Sequence, residues 1–172
     1  MHSPQELDGL YSLAYEELRR LAAAVLSRDV FASLSPTTLV HEAWLKLSSS
    51  SSIRAESPLH FKRIAARAMR QVLVDAARRR SATKRGAGLA LVTYDESIEE
   101  PAATDDHLIA LDGALTDLAR LYPRQAEMIE TRYFAGLSVP ETAEVMGISE
   151  ATVHRDWRAA RAWLAVELDR AG

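Results

Sequence analysis

The 172-residue chain predicts an all-α fold: two small helical domains joined by a flexible acidic linker. Three observations carry that expectation. Apolar residues recur at helical spacing through most of the chain. Leu and Ala dominate a composition with only 7 Gly and 6 Pro, and β-branched runs are short. Three stretches open with the same device, a serine followed by proline (Ser3-Pro4, Ser35-Pro36, Ser57-Pro58), which places a hydroxyl N-cap before a proline at the first helical position.

The elements follow in order. Ser3 and Glu6 form a capping box, and a first helix runs to about Arg28 with Leu7, Leu10, Tyr11, Ala14, Leu18, Leu21, Ala22 and Val25 on one face. A second helix spans Pro36 to about Leu47 with Leu39, Val40, Ala43, Trp44 and Leu47 inward, and the serines from Ser48 to Ser52 break it. A third begins near Pro58 and carries Phe61, Ile64, Ala65, Ala68, Met69, Val72, Leu73 and Ala76 at helical spacing, with a basic opposite face. The first domain therefore covers 1–80. Residues 81–104 hold no sustained period and read as the linker, with a short extended piece at Leu89–Tyr94. The second domain, 105–172, opens with a helix to about Leu121, and Pro123 starts another that ends near Ala135-Gly136.

Charge is segregated although the net charge is only −3. Residues 54–85 carry ten bases against Glu56 and Asp75, and 95–117 carry eight acids and no Lys or Arg. Two readings fit: a nucleic-acid surface joined to an acidic connector, or two charged faces that neutralise each other; the first is the expectation taken forward. The chain lacks cysteine, so disulfides, thiolate chemistry and Cys-ligated zinc are excluded. The five histidines are scattered without metal-ligand spacing, and no catalytic constellation, P-loop or nucleophile elbow is present. The expectation is a non-enzyme with no cofactor and no metal. No apolar stretch approaches the ~18 residues of a membrane span and no secretory signal is legible, so a cytoplasmic location without membrane contact is expected.

Residues 137–164, LSVPETAEVMGISEATVHRDWRAARAWL, have helix-turn-helix grammar. Ser138 caps a short helix with Glu141 at the capping-box position, Ala143 is small where helices cross, Gly147 turns the chain with Ile148 buried beside it, and Ser149 caps the next helix. In that helix Val153, Trp157, Ala160, Leu164 and Leu168 form the inward stripe, while Thr152, Arg155 and Arg158 face outward with His154 and Arg161 flanking. Arginines on the front of a helix with a buried back suit a major groove, where they pair with guanine or phosphate.

With these residues in view the chain resembles bacterial sigma factors of the extracytoplasmic-function (ECF) group over nearly its whole length. The stretch from Arg124 to Leu164 resembles their region 4, and the resemblance implies that Ser149, Thr152, His154, Arg155, Arg158 and Arg161 read the promoter −35 element. TTLVHEAWLKL resembles the region 2 helix that docks on the β′ clamp coiled coil of core RNA polymerase, which implies docking through Leu39, Val40, Glu42, Trp44 and Leu45. HFKRIAARAMRQVLVDAARRR resembles the helix that melts and reads the −10 element, which implies DNA contacts from His60, Lys62, Arg63, Arg67, Arg70, Arg78, Arg79 and Arg80, with Arg54 in the preceding serine-rich loop. A basic groove suits single-stranded DNA because affinity there comes mainly from neutralising phosphates. The resemblance further implies the β flap as a second contact on the polymerase, and promoter DNA as ligand. The resemblance implies a pocket for an unstacked base in the loop from Ser48 to Leu59, with His60 and Phe61 at its edge; for Phe61, core packing is expected ahead of base stacking.

One departure from the family stands at the docking helix. Family members carry a run of acids before the LV·E pattern, facing basic residues on the clamp; here those positions read Ser35, Pro36, Thr37 and Thr38. Either the hydroxyls serve only as caps, or phosphorylation of Thr38 or Thr37 by a serine/threonine kinase adds the missing charge at a helix N-terminus, where it is favoured. Most of the family is held inactive by an anti-sigma factor; a charge-deficient docking helix offers another route to control, and the sequence shows neither the presence nor the absence of such a partner. Two functions from other classes also share parts of this sequence: a stand-alone helix-turn-helix regulator binding an operator as a dimer, and a structural helical adaptor.

Overall fold

The computed structural model describes residues 4–28, 34–50, 56–86 and 101–171. All regular structure in these residues is helical: α1 (Pro4–Arg28), α2 (Pro36–Ser48), α3 (Pro58–Gly86), α4 (Pro101–Leu121), α5 (Pro123–Ile129), a π-helical turn (Glu130–Phe134) that continues α5, α6 (Val139–Met146) and α7 (Glu150–Ala171). Helix thus covers 81–86 and 101–104, which the sequence assigned to the linker. The stretch 81–86 is polar with no apolar stripe, so nothing in its pattern marks the continuation of α3. The Ser3–Glu6 capping box, the Leu89–Tyr94 piece and Arg54 lie outside the described residues.

The hydroxyl caps form as their chemistry requires. Ser35 Oγ accepts from the Thr38 backbone N–H at 3.1 Å, and Ser57 Oγ accepts from the His60 N–H at 3.1 Å. Each satisfies one of the donors that a helix start leaves open.

Helices α1, α2 and α3 pack on one another, and α4, α5 and α7 do the same, with α6 laid on α7. The sequence anticipated two such groups separated by a linker. The sequence left their arrangement open, and the structure packs α3 against both α4 and the π-helical turn, so one apolar core runs through both groups. Its centre in the first group is Phe61, 1% exposed, enclosed by Leu18, Val40, Leu47 and Met69. Phe61 is therefore a core residue. Phe134, Leu115, Leu118 and Met128 are the largest buried apolar residues of the second group.

Where the two groups meet on the other side, Gly136 adopts φ +66°, and a Cβ placed there would stand 3.3 Å from Leu21 Cδ1 of α1. Glycine is thus required by backbone conformation and by the close approach of α1. The π-helical turn is closed by the Ala135 N–H donating to the Glu130 carbonyl at 3.0 Å.

Candidate nucleic-acid interface

Three surfaces bear on function, beginning with the helix-turn-helix. Ser138 Oγ accepts from the Glu141 N–H at 3.3 Å and Glu141 Oε2 accepts from the Ser138 N–H at 2.8 Å, so the capping box is complete. Thr142 is fully buried and its hydroxyl donates to the Ser138 carbonyl at 2.7 Å. Gly147 takes φ +64° and ends α6 in the left-handed conformation the tight turn needs. Ser149 then caps α7, its Oγ accepting from the Thr152 N–H at 3.2 Å. Val153, Ala160 and Leu164 are buried, Trp157 and Leu168 partly so. Thr152 is half-buried at the start of the outward face, and His154, Arg155, Arg158 and Arg161 are all exposed. The helix therefore presents an arginine front over an apolar back.

Hydrogen bonds from Ser138 hold the Glu141 carboxyl below the usual carboxylate range, and the charge of Lys62 on α3 adds to the effect. The sign follows from the direction. A depressed folded-state pKa stabilises the fold above the ordinary carboxylate value, and that contribution is lost as pH falls through the lowered one. The stability difference between the wild type and Glu141→Gln, read by urea unfolding, is expected near neutrality and is expected to vanish in acid.

Asp156, an acid among bases on α7, was not singled out by sequence. It is 3% exposed, and Arg124 of α5 pairs with it, Nε to Oδ2 at 2.6 Å. This pair, with Asp156 buried and Arg124 largely exposed, ties α7 to α5. The only local signal was a carboxylate three positions after buried Val153. Arg132 stacks over the Trp157 ring at 4.8 Å, and Arg161 lies 5.9 Å from the same ring.

The second surface is the first half of α2. Its first turn contains no acid. Thr37, Thr38, Glu42 and Leu45 are exposed, Leu45 at 59%. The Thr38 hydroxyl shares a 2.8 Å hydrogen bond with Ser35 Oγ. Leu39 and Val40, expected to dock on a partner, are 0% and 2% exposed and belong to the core. Trp44 is half-buried against Tyr11, ring centroids 4.5 Å apart. The surface open to a partner is thus Thr37, Thr38, Glu42 and Leu45, with an edge of Trp44.

The third surface is the basic face of α3, and here the structure departs most from the expected open groove. Arg63 pairs with Glu127 of α5. Arg70 is 11% exposed, with Nη1 3.0 Å from Glu130 and Nε 3.7 Å from Asp112. Its guanidinium also lies 5.7 Å from the centre of the Phe134 ring. Arg78 pairs with Asp112 at 3.0 Å, and Arg80 grips the buried Asp105 at 2.8 Å. Arg67 and Arg79 are exposed, while Lys62 and His60 are half-buried. His60 Nδ1 accepts from the Glu56 N–H at 3.1 Å. A cleft separates His60, Arg63, Ile64 and Arg67 from Pro123, Ala126, Glu127 and Glu130. Of the two readings of the charge segregation, mutual neutralisation holds for Arg70, Arg78 and Arg80, whose partners Asp112 and Asp105 lie in the acidic run, while Arg63 pairs outside it with Glu127.

Among the described residues no three His, Asp or Glu side chains gather as metal ligands would, and no helix is long and apolar enough to cross a membrane. A family model described as "ECF sigma factor" matches residues 3–170. No curated protein and no solved structure matches the chain significantly.

Proposed function

This chain belongs to the ECF sigma factor family, and we propose that it is one whose docking on RNA polymerase is switched on by phosphorylation. Membership makes it an alternative sigma factor, which binds core RNA polymerase and promoter DNA to direct transcription initiation. In the finer assignment, α7 enters the −35 major groove with Thr152, His154, Arg155, Arg158 and Arg161, Ser149 lying at its N-terminus. The α3 bases, from Lys62 to Arg80, hold the melted −10 strand. The exposed part of α2 meets the β′ clamp, the α4–α7 unit meets the β flap, and the protein acts in the cytoplasm with core polymerase.

The observation that carries the switch is the first turn of α2. That turn, which in the family offers carboxylates to a basic partner, holds no acid here, and Thr37 and Thr38 are both exposed on it. A phosphate on Thr38 adds about −1.5 to −2 charges at a helix N-terminus and three strong acceptors for arginine. A serine/threonine kinase then takes the regulatory place an anti-sigma factor holds elsewhere in the family.

The test is the affinity of the full chain for purified bacterial core polymerase, unmodified and phosphorylated at Thr38. Phosphorylation is expected to tighten binding by at least about tenfold, equivalent to ~1.4 kcal/mol, and Thr38→Ala/Thr37→Ala is expected to stay at the unmodified level after kinase treatment. Equal, tight binding by all forms would reduce the serine and threonines to helix caps.

A further inference from the structure

We propose that the acidic wall of the second helical group is an intramolecular stand-in for DNA, which latches the free chain shut until promoter phosphates displace it. The inference rests on the reading of α3 as a DNA-binding helix, and it names what occupies that helix beforehand.

The geometry is specific. Four arginines of one helix, Arg63, Arg70, Arg78 and Arg80, each pair with a carboxylate from beyond residue 100: Glu127, Glu130 with Asp112, Asp112 again, and Asp105. These acids come from α4, α5 and the π-helical turn, so three consecutive elements together line one side of the interface. Arginine pairs with carboxylates and phosphates through the same planar fork, so exchanging one for the other keeps the chemistry of the arginine side. While the carboxylates are in place, they occupy the arginine forks and their charge repels a single strand.

Arg70 is the centre of the latch. It is 11% exposed, between Asp112, Glu130 and the Phe134 ring. A guanidinium so enclosed is stable there only while its counter-charges remain, because removing one partner of a buried pair leaves an uncompensated charge. Neutralising Asp112 and Glu130 therefore destabilises the closed arrangement, and Arg70 regains water or phosphate only by opening. Residues 87–100 provide enough chain for the two groups to part by tens of ångströms, at up to about 3.5 Å per residue.

The experiment uses the full chain. The protein contains no cysteine, so Ser49→Cys/Ala162→Cys places one spin label on each group at exposed positions. The paired distance is measured in wild type, in Asp112→Asn/Glu127→Gln/Glu130→Gln, and in Asp106→Asn/Glu144→Gln/Asp169→Asn. The last variant removes the same charge from exposed sites outside the interface. Affinity for a single-stranded oligonucleotide is measured alongside, without polymerase.

The wild type and the charge-matched control are expected to give one short distance and weak binding. The interface variant is expected to lengthen by on the order of 10–20 Å, within the reach of residues 87–100, and to bind the oligonucleotide at least about tenfold more tightly than the control at the same salt. If the triple variant does not fold, Glu127→Gln alone is expected to shift a fraction of molecules to the long distance. An unchanged distance in folded interface variants overturns the latch. Opening without tighter DNA binding than the control overturns the phosphate-mimic role, and points to failure of the DNA-binding reading of α3 itself.

Discussion

Replacing Phe61 with alanine is expected to cost about 3–5 kcal/mol, the range for removing a fully buried aromatic ring. Phe61 is 1% exposed, and its ring is enclosed by α1, α2 and α3 side chains, including Leu18, Val40, Leu47 and Met69. A loss of that size is a large share of the ~5–15 kcal/mol that holds a domain of this kind. Urea unfolding followed by circular dichroism measures it. Phe61→Leu should cost markedly less because most of the apolar volume is kept. The functional consequence falls first on α2, whose buried side consists of Leu39, Val40, Ala43 and Leu47 packed on the same core.

Arg155→Ala/Arg158→Ala is expected to lower promoter-directed transcription at least about tenfold while leaving core-polymerase binding within about twofold of wild type. Each arginine that contacts a guanine edge or a phosphate is worth about 1–3 kcal/mol. The pair together therefore removes at least about tenfold of promoter-dependent activity. Both side chains are exposed on α7, and neither is part of the apolar packing that holds the helix-turn-helix. Stability should consequently change little. Run-off transcription and core affinity, measured on the same preparations, separate DNA reading from docking. Loss of both together would mean that α7 contacts polymerase in addition to DNA.

Much of the fold was legible because its determinants are local. Ser35, Ser57, Ser138 with Glu141, and Ser149 each announce a helix start through a hydroxyl at fixed spacing, and each forms the predicted cap bond. Gly147 marks its turn because only a left-handed residue ends α6 there. The arginine front of α7 was visible because side chains three and four apart share a helix face.

What sequence could not supply was pairing across the chain. Opposite charge runs were evident, but their meaning depended on whether α3 faces solvent or α4. That is set by which apolar residues share a core, among them Met69, Val72, Leu115 and Phe134. Leu39 and Val40 were read as inward from their spacing and as docking residues from the resemblance, and their burial bears out the first reading. A helix with an apolar stripe wider than one face leaves open which edge serves the core and which serves a partner. The Arg124–Asp156 pair joins residues 32 apart, so a carboxylate at Asp156 alone could not reveal it, and the π-helical turn at Glu130–Phe134 has no signature in the apolar spacing.

These assignments converge on a chain that gives RNA polymerase its choice of start sites. The most direct test is transcription of fragmented genomic DNA by purified core polymerase supplemented with the full chain, unmodified and phosphorylated at Thr38, with start sites mapped genome-wide. The account predicts a small set of start sites absent with core alone, sharing one −35 and one −10 element, and weakened with Arg155→Ala/Arg158→Ala. No new start sites with either form, together with protection of a palindromic sequence by the chain alone, would contradict it and identify an operator-binding regulator instead.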